Sequence, residues 1–574
     1  MAGRKSIKAL PREDLPDPPV DWVWVNLADL AADTPNAIVD GPFGSNLKTS
    51  HYTESGPRVV RLQNIGDGHF EDERAHISID HFNDLERHHV QPDDLLIAAL
   101  GEELPRACLV PQWLGPALVK ADCPRIRLND KISIPEFVCH WLNSRQCRDR
   151  AAAIIHGVGR PRMNLAEIRG LWVPIAHPLE QAAIAAKVEA LFSELDAGVA
   201  QLEAAQALLK RYRQSVLRAA FEGRLTAEWR EQRRREAEAG GEELPTAEDL
   251  LKQIEAERQE RAEQQHAEWR QAVEAWEAAG GKDSGEKKPR RPARPKDPPP
   301  LTEEELESLP ELPEGWAWTR ADMLVAADRP ICYGILMPKG NVEDGVLYVK
   351  VRDMRGDRIN VDALQRTAPE IAKQYDRASL VEGDVLLAIR GTYGRVALVP
   401  PALEGGNITQ DSARLTITPL VNRDFCAWAL RAPECQNFFK RVARGVAGKG
   451  GNIGDVRLCP MPLCSDEEQA EIVREVESRL SVIDDIENTT LTALTEAKAL
   501  RQSILKRAFE GRLLDEAELE AVRSHPDYEP ADRLLERIRE RAAAQSKTKK
   551  QTKKKTTRTT RSARKNTGTP QETT

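Results

Sequence analysis

Several short motifs in this sequence contain residue types that could perform chemistry, but each lacks a part that the chemistry needs. The Asp-Pro-Pro segments at Asp17 and Asp297 are not followed by an aromatic residue, which an adenine methyltransferase needs to hold a flipped base. The Gly-Lys pair at Lys449 lacks the Ser or Thr that follows the lysine of a phosphate-binding loop. No Glu-x-Lys follows the adjacent carboxylates Asp93 and Asp94, so a nuclease cluster is incomplete. These motifs predict no catalytic activity for this chain.

Metal sites are not predicted either. The adjacent residues His88 and His89 are interpreted as a solvated pair. The nine cysteines form no Cys-x-x-Cys, and the closest pair, Cys459 and Cys464, has no neighbouring His cluster. We expect most of the cysteines to be small buried residues of a reducing compartment.

Composition and charge indicate several soluble domains with an uneven charge distribution. The 574 residues are 40% apolar and 30% charged, with a net charge of −8. The segment 226–280 contributes fifteen acids against eight bases, whereas 547–565 contains ten bases and no acid. Such a basic tail either holds phosphates loosely or only keeps the chain soluble. No run of eighteen apolar residues and no signal peptide is present, so a cytoplasmic protein is expected.

An internal duplication is the most informative feature of the chain. "RQSVLRAAFEGRL" (213–225) and "RQSILKRAFEGRL" (501–513) are identical at ten of thirteen positions, at an offset of 288 residues (213 to 501). The match continues upstream, where Asn164 meets Asn452 and Pro174 meets Pro462. Each half therefore contains about 150 residues of mixed structure followed by a long helix.

Both helices carry an apolar stripe with heptad spacing, which predicts that they pack on each other. The stripe residues are Ile184, Val188, Leu191, Leu195, Leu202, Leu209, Tyr212 and Val216 in the first copy, and Ile472, Val476, Ile483, Ile486, Leu500 and Ile504 in the second. Acidic residues begin the helices, and Gly223 and Gly511 are suited to end them. Upstream of each helix, short alternating runs such as "RVVRLQNI" and "DVLLAIRG" predict small domains rich in strands.

This arrangement resembles the specificity subunit of type I restriction–modification enzymes. "IVDGPFGSNLK" with "VVRLQNIGDGHF" in the first half is similar to the start of that family's target-recognition domains. "LPEGWAW", "RPICYGILMPKGNVEDGVLYVKVRDM" and "ITQDSARL" are similar in the second half, as is "EEQAEIV" with "SILKRAFEGRLL" in the helical region.

The resemblance implies a mixed α/β (α+β) fold with an internal pseudo-twofold repeat. Two target-recognition domains, each reading half of a split, asymmetric DNA site, would be joined by two long antiparallel coiled-coil helices that act as a spacer. Two methyltransferase subunits using S-adenosylmethionine would dock on the helices, and ATP- and Mg-dependent restriction (translocase–nuclease) subunits could join them. No cofactor is expected on this chain. The acidic segment 226–280 is a departure from the family pattern.

The resulting division of the chain combines the repeat with the resemblance. We predict a disordered N-terminus (1–20), target-recognition domain 1 (21–176), spacer helix 1 (177–225), a charged helical insertion (226–280), a Pro/Lys/Arg-rich linker (281–312), target-recognition domain 2 (313–463), spacer helix 2 (464–515), and a helical segment with a basic disordered tail (516–574).

Polar side chains in glycine-flanked loops are the predicted contacts to double-stranded DNA, because phosphates are bound by Lys and Arg and bases by Arg, Asn and Gln. In the first half these are Ser45, Asn46, Lys48, Arg61, Asn64, Arg106, Arg160 and Arg162; in the second they are Tyr333, Lys339, Lys350, Arg352, Arg390, Thr392, Tyr393, Arg395, Gln410 and Lys449. Asn164 and Asn452 occur in both copies and are interpreted as structural. "DGPFGS" is predicted to form a tight turn.

Two other functions compete with the DNA-reading interpretation. The heptad stripes alone would suit a coiled-coil scaffold protein without sequence-specific DNA binding, which would show no salt-dependent DNA affinity. A fused modification–specificity enzyme would need the methyltransferase motifs that are missing. The sequence does not identify the recognised bases.

Overall fold

The structure is a computed structural model in which the chain divides into two compact units. It describes residues 12, 15–157, 159–281, 287–292, 297–356, 358–443 and 450–541. The first unit combines Met1–Leu202 with Thr492–Thr574, and the second is the continuous segment Glu203–Leu491. The predicted Lys449, the basic segment 547–565 and most of the predicted disordered N-terminus (1–20) lie outside the described residues.

The first unit contains a domain of short strands and helices. Its strands are β1 (Val23–Asn26), β2 (Ile38–Val39), β3 (Tyr52–Val60), β4 (His76–Ile77), β5 (Leu95–Ala98), β6 (Arg106–Leu109), β7 (Ala117–Val119), β8 (Arg125–Ile126) and β9 (Trp172–Ile175). Its helices are α1 (Ile79–Asp84), α2 (Pro135–Asn143), α3 (Arg145–Ala151) and α4 (Leu165–Arg169). They lead into the long helix α5 (Pro178–Phe221), which continues into the second unit.

The second unit repeats this plan after two helices, α6 (Ala227–Gly240) and α7 (Ala247–Ala278). Its strands are β10 (Ala317–Arg320), β11 (Cys332–Tyr333), β12 (Val346–Val349), β13 (Met354–Arg355), β14 (Arg358–Ile359), β15 (Gln365–Thr367), β16 (Val385–Ala388), β17 (Val396–Leu398), β18 (Asn407–Ile408), β19 (Ser412–Leu415) and β20 (Pro460–Leu463). Its other helices are α8 (Glu303–Glu307), α9 (Pro369–Gln374), α10 (Arg423–Arg431), α11 (Pro433–Val442), α12 (Ile453–Arg457) and the long α13 (Asp466–Phe509), and α14 (Glu516–Arg523) follows in the first unit.

The strand order confirms that the two domains are copies of one fold. The main sheet has the order β2-β8-β5-β6 in the first unit and β11-β19-β16-β17 in the second, with antiparallel neighbours throughout. A three-stranded sheet accompanies it in each unit, in the orders β4-β3-β7 and β15-β12-β18. The central strands β5 ("LLIA") and β16 ("VLLA") are buried at every residue, which explains why they are continuously apolar.

The long helices α5 and α13 have 44 residues each, and left-handed glycines follow their ends, as predicted. Gly223 has φ 73° and Gly511 has φ 66°, a conformation that costs glycine little. In the first unit Arg501 donates to Asp196 at 2.8 Å, and Lys187 pairs with Glu518 further along the chain. From the first pair to the second, the residue number falls from 196 to 187 in one partner and rises from 501 to 518 in the other, so the helical segments of the first unit are antiparallel.

The second unit repeats the antiparallel pairing with its own segments of the two helices. Arg213 of α5 pairs with Asp484, and Thr226 Oγ1, just beyond the end of α5, donates to Glu468 at 2.7 Å, so the partner's residue number again falls as the chain advances. The pairs Arg501–Asp196 and Arg213–Asp484 are equivalents within the sequence repeat. Antiparallel helix pairing is therefore confirmed within each unit.

The predicted heptad seam is wrong at three of its positions. Tyr212, Ile486 and Leu500 are 47%, 45% and 50% exposed, although they fall on the apolar stripe. Near the beginning of each helix the stripe is buried, at Ile184 and Ile472 for example, because the strand-rich domain covers it there. Further along each helix, a single partner helix covers a narrower stripe than a domain does.

A buried glutamine joins each domain to the first turn of its long helix. Gln181 Nε2 donates to the carbonyl oxygens of Ile132 and Ala176, and its Oε1 accepts from the Ile134 N–H at 3.0 Å. Its equivalent Gln469 donates to the Cys464 carbonyl and accepts from the Asn422 N–H.

The residue before each glutamine is a glutamate that holds a tryptophan from the start of the domain. Trp22 Nε1 donates to Glu180 at 2.8 Å, and Trp316 Nε1 donates to Glu468 at the same distance. Both glutamates are almost fully buried. Each pair therefore ties the beginning of a strand-rich domain to the helix that follows its end.

The duplication also extends beyond the long helices, into the segment 226–280 that was predicted to be a charged helical insertion. At the start of α7, Ala247, Leu250 and Ile254 are buried in the second unit. A helix over 531–541 buries Ala531, Leu534 and Ile538 at the same spacing in the first unit. The first turns of α7 are thus one of two copies of a packing helix, and only its later part is additional. Within the described residues, no helix is long and apolar enough to cross a membrane.

Replacing the joint glutamine tests its role. In the full chain, Gln469→Ala leaves the buried Asn422 N–H and Cys464 carbonyl without partners, which costs about 1–3 kcal/mol. We expect faster hydrogen exchange at Asn422 and a lower melting temperature of the second unit, and the same at Ile134 for Gln181→Ala. The control Gln201→Ala alters an exposed residue of α5 and should change neither. Unchanged exchange at Asn422 would contradict the assigned role.

Candidate nucleic-acid interface

The strand order brings several loops of the first unit to one edge of its main sheet. Because neighbouring strands are antiparallel, the end of β2, the start of β8, the end of β5 and the start of β6 lie at the same edge. The segments 156–157 and 159–162 join them, since the Gly101 N–H donates to the Pro161 carbonyl at 3.1 Å and Leu100 forms a bridge with Arg162. We call the segments 40–48, 99–105, 120–124, 156–157 and 159–162 the first loop edge.

Five predicted DNA contacts lie at the first loop edge. Ser45, Asn46, Lys48, Arg160 and Arg162 are all exposed there. The tight turn predicted for "DGPFGS" is present, with Gly44 at φ 62°.

Acidic side chains reduce the positive charge of the first loop edge. Arg162 forms an ion pair with Asp122, which restricts the movement of the arginine side chain. Burial raises the pKa of the neighbouring Asp40 to about 6, so this carboxyl loses its negative charge readily as the pH falls.

The equivalent edge of the second unit also gathers predicted contacts. Gln410 N–H donates to the Ile335 carbonyl at 2.9 Å, and the Ile389 N–H donates to the Asp411 carbonyl at 2.8 Å. These bonds hold together the loops after β11, between β16 and β17, and before β19. We call the segments 333–340, 389–395 and 409–411 the second loop edge. The predicted residues in these segments are Tyr333, Lys339, Arg390, Thr392, Tyr393, Arg395 and Gln410.

Three predicted contacts are instead occupied within the fold. Asn64 is 1% exposed; its Oδ1 accepts from the Arg61 N–H, and its Nδ2 donates to the Glu71 and Glu73 carbonyls. Arg106 Nε donates to the Ile65 carbonyl at 2.7 Å, and Arg395 Nη1 donates to the Met354 carbonyl at 2.6 Å.

These three residues occupy repeated positions of the two units. Arg106 and Arg395 precede the matching segments "ACLVP" and "VALVP", and Asn64 matches Asp353, which accepts from the Lys350 N–H. Their repetition in both copies was a sequence signal for a structural role. The same reasoning is confirmed for Asn164 and Asn452, whose side chains cap α4 and α12.

Three further predicted residues lie beside the loop edges, and Tyr393 lies within the second one, in varied surroundings. Arg61 and Lys350 follow the equivalent strands β3 and β12, and Lys350 Nζ donates to Gln365 Oε1 at 2.5 Å. Arg352 is exposed next to Lys350. Tyr393 is half-buried with its ring 5.5 Å from that of Phe439, and burial raises the pKa of its hydroxyl.

Sequence reasoning missed Lys120, which ends the "ALVK" strand of the first unit. The Lys120 N–H donates to the Val60 carbonyl at 2.8 Å, and its ammonium lies 5.6 Å from the centre of the Tyr52 ring. Lys120 therefore follows β7 just as Arg61 follows the neighbouring parallel strand β3. Lys120 could have been found from the sequence, because it directly follows a short apolar run that predicts a strand.

The histidine pair was interpreted wrongly, whereas the cysteine prediction is confirmed. His88 and His89 are half-buried, with His88 Nδ1 2.7 Å from the Asp40 carbonyl and the His89 ring stacked 3.7 Å from that of Phe82. Burial lowers the pKa of His88. All nine cysteines are buried. Among the described residues, no group of His, Cys, Asp and Glu could hold a metal ion.

Comparison with known proteins gives consistent relatives. No protein-family model matches the chain. It is 26% identical to the type I restriction enzyme EcoBI specificity subunit of Escherichia coli over 435 residues, which cover 74% of each chain. It is 23% identical to the EcoKI specificity subunit of Escherichia coli strain K12, covering 79% of this chain and 82% of the relative. A chain from a solved structure concerned with assembly of the type I R-M system has a similar fold, with a TM-score of 0.56, 17% identity, and coverage of 87% of this chain and 100% of that one.

The distinction between structural and exposed basic residues can be tested with two arginine variants. Arg395→Met removes hydrogen bonds from a charged donor to backbone carbonyls, which costs about 1.5–3 kcal/mol and lowers the melting temperature by several degrees. The matched variant Arg390→Ala changes an arginine whose side chain is 56% exposed, so stability should stay within about 0.5 kcal/mol. We expect Arg390→Ala to weaken salt-dependent DNA binding instead. Equal loss of stability in both variants would contradict this division.

Proposed function

This chain belongs to the family of type I restriction enzyme specificity subunits, and from that premise we propose that each of its two loop edges reads one half of a bipartite, asymmetric DNA site. The observation that supports this most directly is the repeated edge at which exposed polar side chains gather in both units. Its donors and cations suit phosphate oxygens and base edges.

The two loop edges occupy equivalent positions of the repeated sheet but differ in their exposed side chains, which favours two different half-sites. The first edge carries Ser45, Asn46 and Lys48 after β2, whereas the second carries Tyr333 at the end of β11 and Lys339 after it. Because direct base reading depends on which donors and acceptors reach the groove, the two edges should select different bases. An asymmetric target follows from this difference.

We further propose that the chain has no catalytic activity and works in a complex with two methyltransferase subunits, to which restriction subunits can be added. In that arrangement S-adenosylmethionine, ATP and Mg are used by the partner subunits. Exposed apolar residues on the long helices support a docking role. Leu208 and Val482 are 64% and 58% exposed in the second unit, and Leu500 is 50% exposed in the first.

A scaffold without sequence-specific DNA binding is the second candidate. It would explain the long helices, but it gives no reason for differing polar side chains on two otherwise equivalent edges. The family membership and the loop edges both favour the DNA-reading function.

Methylation mapping at single-base resolution tests the proposed function. In cells that express the neighbouring methyltransferase, we expect N6-methyladenine at one bipartite motif only when this chain is present. Absence of any motif that depends on the chain, although the methyltransferase is expressed and active, would favour the scaffold.

Two lysine variants, one at the second loop edge and one control, test the interface at the level of single residues. For the assembled complex, Lys339→Ala should lower the slope of log affinity against log salt by about 1, since one phosphate contact is lost. The control Lys252→Ala, on the exposed surface of α7, should leave the slope unchanged. A normal slope for Lys339→Ala would remove this residue from the interface.

A further inference from the structure

Each loop edge presents large apolar side chains to solvent among its polar residues. In the first unit Phe43 is 53% exposed, and in the second Leu336 and Met337 are 52% and 69% exposed. Sequence reasoning considered only polar side chains as DNA contacts and therefore passed over all three. Large apolar side chains exposed together on a soluble protein commonly mark a binding surface.

The apolar residues occupy the same position of the repeated fold. Gly41 and Gly334 each follow the equivalent strands β2 and β11 and pack against backbone. A Cβ on Gly41 would lie 2.0 Å from the Lys120 carbonyl carbon, and a Cβ on Gly334 would lie 1.9 Å from the Ile408 oxygen. Phe43 and Leu336 each lie two residues further along. An exposed apolar side chain at this point is thus a shared feature, while its identity differs between the units.

Both loops are held firmly on either side of the exposed residues. In the second unit the Ile335 N–H donates to the Ile408 carbonyl at 2.7 Å, and Thr367 Oγ1 donates to the Pro338 carbonyl at 2.7 Å. Ile335 itself is fully buried. Leu336 and Met337 are therefore the two residues between anchored neighbours, and their side chains are exposed by the fold.

The first unit anchors its loop with different contacts. His81 Nε2 lies 2.9 Å from the Asn46 carbonyl, and Leu47 is 5% exposed within a small apolar cluster. The Asn46 N–H also donates to the Phe43 carbonyl, which closes the turn. Phe43 is held outside this turn.

The chemistry around these residues restricts what can cover them. Lys48 follows Phe43 in the first loop, and Lys339 follows Met337 in the second, so an anionic partner would be favoured next to the exposed apolar side chains of each loop. A polyanion that offers an apolar group at the base edges is DNA, where the C5-methyl of thymine projects into the major groove.

Resting on the proposed function, we propose that Phe43 and the Leu336–Met337 pair contact thymine methyl groups, one set in each half-site, and so help to determine which base is accepted. Covering one methyl group corresponds to about three- to five-fold in affinity. These apolar contacts to bases would add to the contacts proposed above for the polar side chains.

Replacing thymine by deoxyuridine tests the proposal, because it removes only the methyl group. The assembled methyltransferase complex is titrated with duplexes that carry the mapped site, with each thymine replaced in turn. We expect a three- to five-fold loss at a thymine of each half-site. Leu336→Ala with Met337→Ala should abolish the loss in the second half-site only, and Phe43→Ala in the first only. The control Leu306→Ala, an exposed apolar residue of α8, should retain both losses.

The outcomes separate this proposal from the proposed function. Sequence-specific binding that treats thymine and deoxyuridine alike at every position overturns the methyl contact and leaves DNA reading intact. Variants that weaken binding equally for both bases, or mapped half-sites without thymine, overturn it as well. An altered oligomeric state of the Leu336 and Met337 variant without altered base discrimination would assign the pair to a protein contact instead. Complete absence of sequence-specific binding overturns both proposals.

Discussion

The buried glutamine at the start of each long helix is the interaction on which the arrangement of each unit depends. Gln181 and Gln469 are fully buried, and each bonds both to the segment that precedes α2 or α10 and to the chain just before its long helix. A buried amide is stable only when its donors and acceptors are satisfied, so the domain can adopt only orientations that satisfy them. The direction of the loop edge relative to the first turn of the helix is thereby fixed within each unit.

The duplication separates the residues that build the fold from those that differ between the units. Arg106 and Arg395 bind equivalent carbonyls, and Gly41 and Gly334 make equivalent close backbone contacts. Between these positions the exposed side chains are free to differ, because they take no part in holding the loops. The same scaffold can therefore present two unlike surfaces from one chain.

The sequence predicted the fold better than the individual contacts. Strand runs, helix ends and the repeat followed from local patterns, and Gly223 and Gly511 end the long helices as expected. The exposure of Tyr212 and Ile486 was not predictable, because heptad spacing does not show how far a domain covers the helix. Asn64 and Arg106 were misplaced, because a polar residue beside a glycine can face solvent or bind its own backbone. Phe43 was overlooked because only polar side chains were considered as DNA contacts.

The division of the chain between the units also bears on how the protein is made. The second unit is one continuous segment, whereas the first needs residues from both ends of the sequence. Phe509 packs against Phe137 and Trp141 at ring distances of 5.1 and 5.0 Å, so the first core lacks an aromatic partner until synthesis has passed the whole of the second unit. The strand-rich domain of the first unit is translated before the second unit but completed after it, and a ribosome that stops between residues 491 and 509 would release a chain with a finished second unit and an open first one.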